Sequence, residues 1–249
     1  RGLDYHLTTH SVALYANTEK VLETRLNRAV VARGLISADF HQHMRNSFDS
    51  AMPAEDRIIS NVCEGLDLFV SSDHNFITDL STVIQELGLS QWIRSIPGDE
   101  VTPRRHYFGH INAFPLVADT TKPRNGAIQF ESTTAARVFE EARAFPGEQV
   151  VQVNHPRSGD LGYFNRVRMS PHDATTTHLN WSDRFSAVEV FNSKHMDDAE
   201  DSLRDWFNLL NMGYTFTATG NSDSHRIHDQ EPGYPRNYLA LGVSGPAQI

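Results

Sequence analysis

Apolar positions along the chain fall into two kinds of run that take turns. Seven short stretches are continuously apolar or alternate with a period of two: "GLISADF", "GLDLFVSS", "WIRSIPG", "HINAFPLV", "QVVQVN", "FSAVEVFN" and "YTFTATGN". Such runs turn one or both faces of an extended segment toward a core, so each predicts a β-strand. Between several of them the period lengthens to that of a helix. In "PAEDRIISNVCEG" the proline suits a first turn and Gly65 an end, with Ile58, Ile59, Val62 and Cys63 on one face. In "STTAARVFEEARAF", Ser132 or Thr133 suits the cap, and Ala135, Val138, Phe139 and Ala142 form the stripe. In "DDAEDSLRDWFNLLNMG", Ala199, Leu203, Trp206, Phe207 and Leu210 keep the same spacing, with acids in the first turn and Gly213 closing. Strands alternating with helices predict an α/β fold on a parallel sheet, either open or closed into a barrel.

Two segments break this rhythm. Residues 156–184 form a polar and aromatic insertion without clear period, the pattern of a lid or substrate loop. Residues 1–34 read as a lead-in segment packed beside or beneath a barrel that occupies 35–249. A chain of 249 residues is long enough to bury one full-sized core.

Composition narrows the classes. Hydrophobic residues make up 39% and charged residues 21%, with no run of eighteen apolar residues, so a soluble protein without membrane partners is expected. The formal charge of −9 argues against a nucleic-acid groove, which needs clustered Lys and Arg, and favours a small-molecule substrate. The single cysteine, Cys63, excludes an intrachain disulfide and reads as a small core residue. There is no signal-peptide h-region, and the choice between cytoplasm and periplasm stays open, as does the oligomeric state.

The chemistry lies in where thirteen histidines and their acidic neighbours fall. His41 and His43 follow the first strand, Asp73 and His74 the second, and Asp99 and Glu100 the third. His110 opens the next run, His155 ends another, and Asp223 with His225 ends the last. In a parallel barrel all strand C-termini point to one face, so residues far apart in sequence converge on one pocket. Imidazole and carboxylate suit Zn, Mn or Fe, and an HxH on an extended segment turns both rings the same way. A bridging carboxylate such as Glu100 lets this set hold more than one ion.

The motifs "DFHQH", "SSDHN", "PGDE", "FGHIN", "VNHP" and "GNSDSH" together resemble those of the PHP (polymerase and histidinol phosphatase) superfamily over residues 37–240. The resemblance implies a distorted seven-stranded (β/α)7 TIM-like barrel with two or three divalent ions at the C-terminal ends of its strands. His41, His43, Glu100 and Asp223 would hold the first ion. Glu100, His110 and His155 would hold a second, and Asp49, His74 and His225 a third. "NHPRSGDLGYF" and "VEVFN" look more like the carbaryl-hydrolase branch, in which residues 1–34 would be the tail of an amino-terminal β region.

The function expected is a metal-dependent hydrolase in which a hydroxide bridging the ions near Glu100 attacks phosphorus, with Asp223 completing the catalytic centre. Arg157 suits a substrate oxyanion, and Asn192, at a strand end, suits a substrate or ligand contact. Asp73 suits the orientation of a metal-bound histidine, and Asp39 structural support. Cleavage of carbamates or carboxylic esters uses nearly the same chemistry and stays open, as does a non-catalytic metal-binding module. A serine hydrolase lacks its GxSxG, an NTPase its GxxxxGK[ST], and a Rossmann oxidoreductase its GxGxxG. Amidohydrolase barrels share the HxH but typically bridge with a lysine, and rank second on fold.

Overall fold

The computed structural model describes residues 2, 4–27, 29, 34–105 and 107–241. Each of the seven expected runs carries a strand: β1 (Leu35–Asp39), β2 (Leu68–Ser71), β3 (Arg94–Pro97), β5 (Ile111–Phe114), β6 (Val150–Val153), β7 (Ala187–Asn192) and β8 (Thr217–Asn221). Two short strands complete the set, β4 (Asp99–Val101) and β9 (Asn237–Ala240). The helices are α1 (Ala54–Glu64), α2 (Ser81–Glu86), α3 (Ala135–Arg143), α4 (Tyr163–Arg166) and α5 (Met196–Asn211).

The strands form two sheets rather than the expected barrel. One has the order β3-β2-β1-β9 and the other β4-β5-β6-β7-β8. Within the first, β1, β2 and β3 are parallel and β9 is antiparallel; within the second, β4-β5-β6 is antiparallel and β6-β7-β8 parallel. A parallel pair needs a crossover of a dozen residues or more, and only residues 102–110 join β4 to β5, so that pair folds back on itself. No ladder among the described residues closes the two sheets into a ring, and the fold is mixed α/β.

The sheets nevertheless meet at both ends. At Gly98 the chain steps directly from β3 into β4, and a Cβ there would lie 2.6 Å from Val70 Cγ1, so only glycine fits this corner. At the other end Asn221 Oδ1 accepts from Phe40 N at 2.9 Å, and Asn237 Nδ2 donates to Gly220 O at 2.9 Å. A single parallel bridge, Gln42 with Ser224, joins the segments that follow β1 and β8.

The larger core lies on the five-stranded sheet. Val138 and Phe139 of α3 are fully buried there, each stabilising by roughly 1.5–3 kcal/mol. Thr134 caps this helix, accepting from Arg137 N, in place of the expected Ser132 or Thr133. The insertion packs into the same core: Tyr163, Phe164 and Val167 are fully buried, so this part is a wall and not a free lid. A second cluster, including Ile58, Phe69, Ile84 and Ile93, lies under α1 and α2.

Two helix faces differ from expectation. Helix α1 buries Arg57, Ile58, Ser60 and Asn61, leaving Ile59 and Cys63 exposed, so Cys63 is not a core residue. Helix α5 buries Ser202, Asp205 and Leu209, while Leu203 and Phe207 face outward. In both cases a buried polar group with a dedicated partner, Arg57 or Asp205, sets the phase of the helix. Ahead of β1, residues 4–27 and 29 fold back on themselves through Ala29 N to Asp4 O at 2.7 Å and His6 N to Asn27 O at 2.9 Å. Among the described residues no helix is long and apolar enough to cross a membrane.

Candidate metal centre

The chain leaves β1 at Asp39 still extended, so His41 and His43 point to one side and both are fully buried. Opposite them stands Glu100 of β4, also fully buried. Its Oε1 lies 3.2 Å from His41 Nε2, 3.1 Å from His110 Nδ1 and 3.5 Å from His155 Nε2. Its Oε2 lies 3.3 Å from His43 Nε2 and 2.8 Å from His74 Nδ1. Asp223, just past β8, sets Oδ1 3.2 Å from His41 Nε2 and 3.0 Å from His43 Nε2. Asp49 Oδ2 lies 3.2 Å from His74 Nε2 and 3.1 Å from His225 Nε2.

All nine residues singled out as ligands thus meet in one place. They form four overlapping groups: His41, His43 and Asp223; His41, Glu100 and His155; His74, Glu100 and His110; and His43, Asp49, His74 and His225. The last adds His43 to the expected third set, and the second adds His41 to the expected Glu100 and His155. Both additions follow from the central position of the two HxH rings.

Four of these rings are fixed in the same sense. His41 Nδ1 donates to Glu189 Oε1 at 3.0 Å, since a carboxylate can only accept. Ser47 Oγ donates to Asp73 Oδ1 at 3.0 Å and so accepts from His43 Nδ1 at 2.9 Å. His74 Nδ1 lies 2.7 Å from Thr102 Oγ1, and His225 Nδ1 donates to the Asp223 carbonyl at 2.8 Å. In each ring Nδ1 is engaged and Nε2 faces a carboxylate of the set, the orientation in which a neutral ring offers its Nε2 lone pair to a metal; His74 Nδ1 also lies 2.8 Å from Glu100 Oε2. Asp73 therefore orients His43 through Ser47. Asn192 Nδ2 donates to Glu189 Oε2 at 3.0 Å and Asp223 Oδ2 at 3.2 Å, which places it at the centre as a support of Asp223.

The electrostatics follow from crowding. Burial opposes charge on His41 and His74, but the carboxylates beside them outweigh it, raising His41 well above its usual range and His74 to about 10. Burial and the charges of His225 and His74 push His43 down to about 3, and burial holds His110 near 4 against the pull of Glu100. Burial alone would raise Glu100 and Asp223; the surrounding rings hold both well below the carboxylate range. Without an ion, the carboxylate charge is balanced by protons on some rings and not on others.

A divalent ion fits this arrangement. His41 Nε2, His43 Nε2, Glu100 Oε2 and Asp223 Oδ1 are buried and make no hydrogen bond. Yet those in direct contact sit 3.0–3.3 Å apart, close to the roughly 3 Å edge of a polyhedron built on metal–ligand bonds of about 2.1 Å. His155 (φ 28°) and Asp223 (φ 49°) are also held in the left-handed backbone region, a strain that persists only where surroundings impose it.

Other candidates are placed elsewhere. Arg157, expected to contact substrate, is committed to Asp205 of α5, pairing through Nε and donating from Nη2 to Oδ1 at 2.9 Å, with a further bond to Met169 O at 3.1 Å. A fully buried carboxylate on α5 engages its guanidinium. Asp99 points away from Glu100 to accept from Ile128 N at 2.9 Å, and burial lifts it to about 7. Asp39 accepts from Ser222 Oγ at 2.6 Å and Gln42 Nε2 at 2.8 Å, holding the turn before HxH. His172, His178, His195 and His228 join no ligand group, and His106 lies outside the described residues.

Two residues of consequence escape a reading by motif. Glu189 is fully buried and orients His41 and Asn192 while accepting from His155 N at 2.8 Å. A charge inside the apolar run "VEVF" was its visible signal. Arg57, also fully buried, donates to Ser224 O at 2.7 Å and His43 O at 3.2 Å, tying both ligand loops to α1. Gly109 is a third support: a Cβ there would lie 2.5 Å from Leu161 O, so glycine lets the insertion press against the strand that begins beside His110.

The donor set defines a divalent-metal site of histidine and carboxylate on a mixed α/β frame. No family model and no curated protein matches the chain. Solved structures do. A two-domain protein from Bacteroides vulgatus containing a predicted PHP-like metal-dependent phosphoesterase matches with TM-score 0.54 and 20% identity, over 79% of this chain and 54% of that one. PsfC from Pseudomonas syringae matches with TM-score 0.56 and 14% identity, over 85% and 84%. The lesion-specific endonuclease EndoQ from Pyrococcus furiosus matches with TM-score 0.51 and 13% identity, over 82% and 52%. The chain thus spans about half the length of the first and third, and its fold is the one these structures share.

Proposed function

We propose that the protein is a metal-dependent phosphoester hydrolase of PHP type, acting on a small molecule. The observation that carries this reading is the shared orientation of His41, His43, His74 and His225, whose Nδ1 atoms are tied and whose Nε2 atoms converge on Glu100, Asp223 and Asp49. The fold match to a protein described as containing a PHP-like phosphoesterase supports it. The nine residues would hold two or three ions of Zn, Mn or Fe, which would supply Lewis acidity and lower the pKa of bound water toward about 7.

The chain's own groups do the rest. Glu189 keeps the His41 proton at Nδ1, and Ser47, backed by Asp73, does the same for His43. Glu100, with both oxygens facing histidines from several strands, would be the carboxylate shared between ions. Asn192 steadies Asp223 against rotation. Burial of His41, His43, Glu100 and Glu189 keeps bulk water from screening the charges that act on a phosphoryl oxygen.

The test is elemental analysis of the purified protein, paired with turnover of p-nitrophenyl phosphate mono-, di- and triesters against p-nitrophenyl acetate and a naphthyl carbamate. Bound metal with preferential phosphoester cleavage is the expected result. Preference for the acetate or carbamate would move the protein to an ester or carbamate hydrolase. Absence of metal, with no rescue by Mn or Zn, would overturn the reading.

A further inference from the structure

Beside the metal centre opens a cavity of about 650 Å³ whose walls contrast with the rest of the chain. The protein carries 31 acidic residues against 22 basic ones, yet Arg45, Arg104 and Arg124 line this cavity and no Asp or Glu does among the described residues. Arg104 leans toward Glu131 at 3.7 Å, whereas Arg45 and Arg124 pair with no carboxylate among the described residues. Arg124 instead lies flat over the Phe130 ring at 4.5 Å. Phe48 stacks on His74 with centroids 4.6 Å apart, yet remains 76% exposed, its other face turned to solvent. Phe76 adds a third aromatic wall.

Of the nine candidate ligands only His74 reaches this cavity, so the arginines face the space beside the metal centre and not its middle. An anion held there sits beside His74 and away from the other eight candidate ligands. Guanidinium pairs in a planar fork with carboxylate or phosphate, and a flat ring stacked on Phe48 covers apolar surface that is costly to leave in water. A cleft of one charge sign also concentrates ligands of the other.

We infer that the cavity holds the part of the substrate that is not transferred, and that this part combines an aromatic ring, stacked on Phe48, with a second anionic group held by Arg45 and Arg124. This rests on the phosphoester-hydrolase reading and names its substrate class: an aryl or heteroaryl phosphoester bearing a further negative charge.

The experiment is calorimetric titration of the metal-loaded protein with three non-hydrolysable phosphonates: methylphosphonate, phenylphosphonate and carboxyphenylphosphonate in its 3- and 4-isomers. Phenylphosphonate is expected to bind several-fold more tightly than methylphosphonate, and Phe48→Ala to remove that gain. At least one carboxyl isomer is expected to add about tenfold, the effect of a charge-assisted hydrogen bond. Arg45→Ala with Arg124→Ala is expected to remove this gain, and Arg45→Lys with Arg124→Lys to keep part of it. Unchanged melting temperatures show that the variants fold. Equal affinity for all the phosphonates, or a wild-type ranking that survives in both alanine variants, would overturn the inference. Because binding is read without turnover, the two readings separate. The ranking without hydrolysis of any phosphoester leaves the cavity assignment standing and removes the hydrolase reading; hydrolysis without the ranking does the reverse.

Discussion

The metal centre and the cavity wall beside it share His74 and little else. At the centre, His41, His43 and Glu100 are fully buried, and the Nδ1 atoms of both HxH rings have partners. In the wall, Arg45 and Arg124 are exposed, and Phe48 presents a bare face. The difference lies in when desolvation is compensated. Buried charges must be paired as the chain folds, because an uncompensated one costs several kcal/mol. Exposed guanidinium groups remain in water until a ligand displaces it. Chemistry is thus built into the frame, while selection of the substrate is left to groups that adjust on binding.

The sharpest way to break this contrast is Asp223→Ala. It removes the oxygen that lies 3.2 and 3.0 Å from the two HxH Nε2 atoms, and bound metal and turnover should both be lost, turnover by about 10³-fold or more; elemental analysis and kinetics on a folded variant check this. Full activity without metal would show that the centre is not what the frame is built for. Glu189→Gln comes next. It weakens the acceptor that fixes His41, and metal affinity should fall about 10- to 100-fold in a chelator competition while the protein stays folded.

Arg157→Ala addresses the frame. It leaves the Asp205 carboxylate buried and unpaired, so stability should fall by about 3 kcal/mol in denaturant unfolding with kcat/KM unchanged. A large loss of kcat/KM at full stability would restore Arg157 to the site. Metal binding should also release protons. In the metal-free protein His74 sits at about 10, so it is cationic at pH 8 and must lose a proton to become a ligand. Titration with metal in weak buffer at pH 8 should therefore release a proton; no release would mean that the carboxylates beside His74 do not hold it charged. The smallest effect is expected at Leu203→Gln on the outer face of α5, within about 0.5 kcal/mol, where a core position would cost about 2–5 kcal/mol.

Local patterns carried much of this. HxH after an apolar run is legible because alternation along a strand sets both rings on one side. The same run-then-ligand pattern at His74, Glu100, His155 and Asp223 located the remaining walls. Glu189 shows the limit of reading by motif: one acidic residue inside an apolar strand has no spacing to match, although its burial requires a partner. Helix phase failed at α1 and α5 for a related reason. Leu203 and Phe207 keep helical spacing as well as Leu209 does, and what turns α5 is the pairing of Asp205 with Arg157, which lies 48 residues away. Strands β4 and β9 were too short to show a period, and the antiparallel turn between β4 and β5 opened the expected barrel into two sheets.

The sequence by itself determined which segments are extended, which are helical, and which side chains can act as ligands, because periodicity and residue chemistry are local properties. Only the tertiary structure decided that nine such residues share one site, that Glu189, Ser47 and Thr102 set the direction of three of their rings, and that arginines from three separate loops face one cavity. Those outcomes depend on distances between segments far apart in the chain, which packing creates and no local spacing encodes.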